Sequence, residues 1–208
     1  MKNSPLFFIA IFGALALSFG ALVLGSRRQF GQLDAYFDAG EGAAFPARAP
    51  GVAARGMLVY RELGCAACHT QQVRRPGFGT DKERGWGDRQ SVARDYIYQT
   101  RVQLGQTRIG PDLTNFGERA AKAGTDQGRL FLNLYAGQGS MPVYPFLFDE
   151  RRIVGQPAKQ ALPVKSRPGY EVVPTRRAEA LAAYLLSLKA DFMYPEAQPL
   201  EPAKEAKK

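Results

Sequence analysis

His69 is the only histidine in the 208-residue chain, and it directly follows Cys65-Ala66-Ala67-Cys68, which holds the only two cysteines. This inventory removes most of the chemistry such a cluster could serve. A structural zinc site takes four Cys or His ligands, and only three exist. A disulfide between residues so close in sequence would constrain almost nothing. A thioredoxin-like redox pair needs a surrounding βαβ pattern, and none is visible. What remains is the attachment pattern of c-type haem, in which two thiolates add to the vinyl groups and the adjacent imidazole ligates iron. Two intervening residues let the chain turn so that both sulfurs reach one porphyrin edge while His69 swings beneath the iron.

With no second histidine, a strong ligand on the opposite side of the iron has to be another residue type, and methionine is the natural choice. Met1 would lie across a membrane, Met57 sits on the helix entering the motif, and Met193 follows the last helix. Met141 is left, in Gly139-Ser140-Met141-Pro142, where Pro142 biases it toward an extended conformation that presents a thioether. The competing role for Met141 is packing against the porphyrin. Gly110-Pro111-Asp112-Leu113 supplies a candidate partner for the histidine: a ligating imidazole donates its second ring N–H to a fixed acceptor, and the Pro111 carbonyl is one. Arg74, Arg75 and Arg108 are candidates for pairing with haem propionates. Solvated surface arginines are the equal alternative.

Leu6 to Leu24 is free of charge, and its ~19 residues at ~1.5 Å rise approach the thickness of a bilayer core. A cleaved signal peptide is the other reading, since Lys2 gives a positive n-region and Val23 and Gly25 imitate a cleavage site. The run exceeds the usual apolar stretch of roughly 7–15 residues in such peptides, which favours an uncleaved anchor. Lys2 on one side and Arg27 and Arg28 on the other leave its orientation undecided. The net charge of +9 suits an anionic lipid surface or an acidic partner, or is simply a solvated basic face.

After the anchor, Ala39 to Gly51 is crowded with Gly, Ala and Pro and reads as a stalk. Helices are expected over Val52 to Leu63, ended or bent by Gly64, over Asp126 to Ala136, and most clearly over Thr175 to Lys189 with Thr175 as N-cap. Ser91 to Leu104 has a weaker helical look. Gly56, lacking a side chain, would let Tyr184 of the last helix approach closely. Asp149 to Val173 has no clean period and reads as a surface excursion. Neither internal repeats nor strand alternation stand out, and Glu201 to Lys208 reads as a disordered end.

Beyond the haem motif, residues Tyr60 to Leu147 resemble the monohaem cytochrome c subunit, the second subunit, of cbb3-type cytochrome c oxidases. The resemblance rests on Gly64-Cys65 through His69-Thr70-Gln71-Gln72-Val73-Arg74, on Arg108-Ile109-Gly110-Pro111-Asp112-Leu113, and on Ser140-Met141-Pro142-Val143-Tyr144-Pro145. A single N-terminal span and a closing Tyr184-Leu185-Leu186-Ser187-Leu188-Lys189 helix also fit. Pro76 to Leu104 and Asp149 to Val173 follow no pattern of that family.

The resemblance implies a mainly α fold: a single N-terminal transmembrane helix followed by a class I-like cytochrome c domain. The expected division is an anchor over 1–28, a linker over 29–51, the haem domain over 52–195 with its excursion at 149–173, and a disordered tail over 196–208. It further implies one haem c held through Cys65 and Cys68, His69 and Met141 as axial ligands, and Pro111 as the orienting carbonyl. The haem domain would face the periplasm at a bacterial inner membrane. The expected role is a non-catalytic electron relay in a respiratory oxidase. Its expected partners are a haem-copper catalytic membrane subunit, a further cytochrome c subunit or soluble cytochrome donor, and membrane lipid, with nucleic acid not among them. Two other readings stay open: the small cytochrome c subunit of a nitric oxide reductase, against which Gln71-Gln72-Val73-Arg74 argues, and a membrane-anchored haem gas sensor with no fixed Met141 ligand.

Overall fold

The apolar N-terminal run folds as α1, one continuous helix over Ser4–Phe30 in a computed structural model that describes residues 3–31 and 33–197. Pro5 sits in its first turn, where the missing N–H would be unpaired in any case. The helix widens to a π-helical turn at Phe19–Leu24, and none of its side chains is buried against the rest of the chain. At ~1.5 Å per residue its 27 residues exceed the ~30 Å of a hydrocarbon core, so α1 is long and apolar enough to cross a membrane.

The segment expected as a stalk carries a ribbon instead. β1 (Tyr36–Asp38) and β2 (Ala43–Phe45) pair antiparallel with Tyr36 opposite Phe45. The ribbon is fastened to the end of the domain by aromatic rings: Phe45 stacks on Phe192 with centroids 4.0 Å apart, and Tyr36 packs on Phe192 and Tyr194. The buried ion pair Arg89–Asp95 (2.6 Å) ties the same corner together, with Arg89 Nε donating to the Phe192 carbonyl. Gly, Ala and Pro dominate the composition here and mask the two aromatic positions that hold the ribbon down. Tyr194 and Ala197 are buried, so the packed chain enters the segment expected as a tail over 196–208. The expected disorder of Glu201 to Lys208 lies outside the described residues.

Four helices build the core, making the described chain mostly helical: α2 (Gly51–Glu62), α3 (Phe116–Lys122), α4 (Gln127–Ala136) and α5 (Arg176–Ser187). α5 is the hub, packing on α2, α3 and α4. Thr175 caps it: its hydroxyl accepts from Ala178 N at 3.3 Å and donates to the Leu147 carbonyl at 2.8 Å. Ala178, Leu181, Ala182 and Leu185 are buried on its inner face, each large side chain contributing about 1.5–3 kcal/mol on removal from water. Asp126 caps α4 by accepting from Arg129 N at 2.8 Å. α3, which the periodicity did not suggest, is only two turns long.

Two expectations change in form. Ser91 to Leu104 contains a single 3-10 turn, Ala93–Tyr96, and no longer helix. The excursion from Asp149 to Val173 is framed by a second antiparallel ribbon, β3 (Phe148–Arg152) with β4 (Tyr170–Pro174). The β-branched pair Val172 and Val173 is buried and anchors the ribbon to the core, while most of β3 faces solvent.

Candidate functional site

α2 delivers the cysteine motif. Past its end, Gly64 takes a left-handed conformation at φ +70°, which glycine adopts without strain, and turns the chain into a 3-10 turn over Cys65–Ala67. The amides of Cys68 and His69 both donate to the Cys65 carbonyl, at 3.2 and 2.9 Å. Both thiols are half-buried and free. Burial pushes the Cys65 thiol up to about 11. Among the described residues no three His, Cys, Asp or Glu side chains gather as a metal cluster.

A second segment, Gln103 to Leu113, lies along the motif and holds it. Thr107 donates to the Ala67 carbonyl through its amide (3.2 Å) and hydroxyl (2.6 Å), Gly110 N donates to Cys68 O (3.0 Å), and Leu113 N donates to Thr70 O (2.9 Å). His69 Nδ1 stands 2.9 Å from the Pro111 carbonyl. A carbonyl only accepts, so Nδ1 carries the proton, and Nε2 of the neutral ring keeps its lone pair for a ligand. Gly110 lies flat against the imidazole: a Cβ there would stand 2.5 Å from Nδ1 and 2.7 Å from Nε2. The buried Tyr60 hydroxyl donates to the His69 carbonyl at 2.7 Å, so main chain and ring are fixed from different sides.

Met141 is half-buried and packs, like Cys65, against the hydrophobic core. Its loop is tied down by Tyr144 N donating to the Leu134 carbonyl of α4 at 2.8 Å. Tyr144, three residues further on, packs against the same core as Met141 and Cys65. Met57 is half-buried on α2, and Met193 is exposed. Leu104, Ile109, Val143 and Phe146, on the two segments flanking the motif, are exposed apolar side chains, Ile109 at 73%. Two free thiols, an imidazole with Nε2 available and this apolar rim fit a covalently held haem.

Arg74 and Arg108 come together, on Asp81. Its carboxylate is 1% exposed and meets Arg74 Nη2 at 2.7 Å and Arg108 Nη1 at 3.0 Å, while also accepting from Arg74 N. Arg108 further donates to the Gln72 carbonyl at 2.6 Å and lies 3.7 Å from Asp112. The arginines were legible as cations near the motif. Asp81 carried no signal, because its partners come from positions 7 residues upstream and 27 residues downstream in an irregular stretch. Gly110 and Asp112, which bracket Pro111, and Tyr60 were legible as parts of a motif and a helix, with no role of their own.

No curated protein matches the chain. The family model described as cytochrome c oxidase, mono-haem subunit, or FixO, matches residues 50–190, well over half of the sequence and the whole of the helical core with both site segments. The chain therefore belongs to the FixO family of mono-haem cytochrome c oxidase subunits.

Proposed function

We propose that this protein is the electron-relay subunit of a cbb3-type respiratory oxidase, held by α1 in a bacterial inner membrane with its class I-like cytochrome c domain in the periplasm. The observation that carries the reading is the fixed imidazole: Nδ1 is engaged by Pro111, and Gly110 lies against one ring face. Bound haem c supplies a one-electron ferric/ferrous couple, which His/Met ligation raises in potential.

The chain's own residues then have distinct tasks. Cys65 and Cys68 would hold the group through thioethers, while His69 Nε2 and the Met141 thioether would supply its iron ligands. Pro111 keeps the Nδ1 proton in place and sets the ring's orientation. Arg74 and Arg108 would reach haem propionates only with the N–H groups that Asp81 leaves open. With both iron ligands supplied by the chain, the site would pass electrons and break no substrate bond. Electrons would arrive from a further cytochrome c subunit or a soluble cytochrome donor and leave toward a haem-copper catalytic subunit in the same membrane.

Carbon monoxide tests this directly. The reduced full-length protein should leave its absorption spectrum unchanged under CO, because Met141 occupies the site CO would take. Met141→Ala should keep its covalent haem, lose the thioether-to-iron charge-transfer band and bind CO at once. Rapid CO binding by the unaltered protein would sink the relay reading in favour of a gas sensor, and an unchanged band in Met141→Ala would reassign the ligand.

A further inference from the structure

Asp112 is fully buried, at 0% exposure, and nothing assigned so far to the site uses its side chain. Its two carboxylate oxygens bridge the two segments that build the site. One accepts from Gln72 N at 2.9 Å, on the chain leaving His69, and the other accepts from Thr114 N at 2.8 Å, on its own segment. Arg108 stands 3.7 Å away as the nearest countercharge, and the Asp112 main-chain carbonyl accepts from Arg119. Side chain and main chain of this residue are thus held from four directions.

The consequence reaches His69 through one covalent plane. The carbonyl that accepts from Nδ1 belongs to the peptide unit joining Pro111 to Asp112, and that unit is rigid. Its direction is therefore set by the backbone of Asp112. Pro111 has no N–H with which to fix itself. We infer that Asp112 is a positioning residue for the His69 imidazole, aiming the Pro111 carbonyl at Nδ1 by clamping the peptide plane between Gln72 and Thr114. A firm Nδ1–H bond makes the ring a stronger donor to the metal it ligates. Asp112 thereby holds the potential of the site down, without touching the ring. This rests on the proposed role of His69 as an iron ligand.

The test uses the haem-loaded full-length protein with isotope-labelled histidine; His69 is the only histidine, so a single ring is observed. In the reduced wild type the Nδ1–H signal should exchange slowly with solvent. Asp112→Ala should make it exchange about tenfold faster, the size of one lost hydrogen bond, and should shift the midpoint potential upward. Asp112→Asn, which keeps the volume and one acceptor oxygen, should fall between the two, and it carries the test if the alanine variant does not load haem. Thr175→Ala removes the cap of α5 and serves as the control: it should lower the melting temperature and leave Nδ1–H exchange and potential in place. Unchanged exchange and potential in the Asp112 variants would reduce Asp112 to a structural residue and overturn the inference while leaving the relay reading intact. A wild-type His69 ring signal insensitive to the iron's oxidation state would remove the ligand role itself, and the inference with it.

Discussion

Gly56 of α2 lies directly against Ala180 of α5: a Cβ built on it would stand 2.5 Å from the Ala180 carbonyl carbon and 2.7 Å from Tyr184 Cβ. The neighbour is largely backbone, so it cannot swing aside. Alanine is the better helix former by about 1 kcal/mol, but forcing atoms into a packed interface costs about 1–3 kcal/mol or more, and here the second effect wins. Gly56→Ala should lower stability in denaturant unfolding. A more stable variant would mean that α2 and α5 do not meet at this residue.

Gly110 meets the imidazole as closely, but its obstacle is the functional ring. Its φ is not among the positive ones, so alanine could adopt the backbone, and the nearest atoms in the way are those of the His69 ring. Gly110→Ala should therefore reduce covalent haem loading, or shift the potential of what does load, with the melting temperature of the rest of the domain changing by only about 1–2 kcal/mol equivalent. Absorbance per protein and a redox titration check this. Full loading at an unaltered potential would show that the ring does not need this face clear.

How much of this was legible in the sequence follows from the range of each interaction. The cap at Thr175, the helix beginning at Asp126, the Gly56 approach to Tyr184 and the Pro111 carbonyl against His69 are written in local pattern or in a short inventory. α3 was too short for its periodicity to register. The two ribbons escaped because their strands are three to five residues long and separated by Gly and Pro, so alternation never accumulates. Asp81 and Asp112 escaped for a different reason. A buried carboxylate is specified by the donors that reach it, and those donors come from Arg74, Arg108 and Gln72, which only the folded chain brings near.

The ring stack of Phe45 on Phe192, centroids 4.0 Å apart and planes within 5°, joins the segment after α1 to the end of the domain. Such a pair adds about 0.5–1.5 kcal/mol beyond the area it buries. Phe192→Ala should free the β1–β2 ribbon, seen as faster amide exchange at Tyr36–Asp38 and Ala43–Phe45, while α2 and α5 stay protected. If the ribbon's exchange does not change, it is held by other contacts, such as Arg94 with Glu196 and the Asp34 carbonyl.

Asp81 predicts the acid behaviour of the site's supporting corner. Burial alone would raise its pKa, but the Arg74 side chain and amide, and then the Arg108 charge, outweigh that and hold it below the usual 3.8. A lowered folded value means that the stabilisation is fully present above the unfolded carboxylate value of about 3.9 and is lost as pH falls through the folded value. Asp81→Asn should therefore cost about 2–3 kcal/mol at pH ~7, less than a fully buried pair because both guanidiniums stay partly wet. The gap between variant and wild type should narrow on acidification below pH ~4, as the native carboxylate protonates. Melting curves taken across the acid range decide it: a gap that stays constant down to the acid limit would show that the charge on Asp81, as opposed to its shape, contributes nothing to holding Arg74 and Arg108 in place.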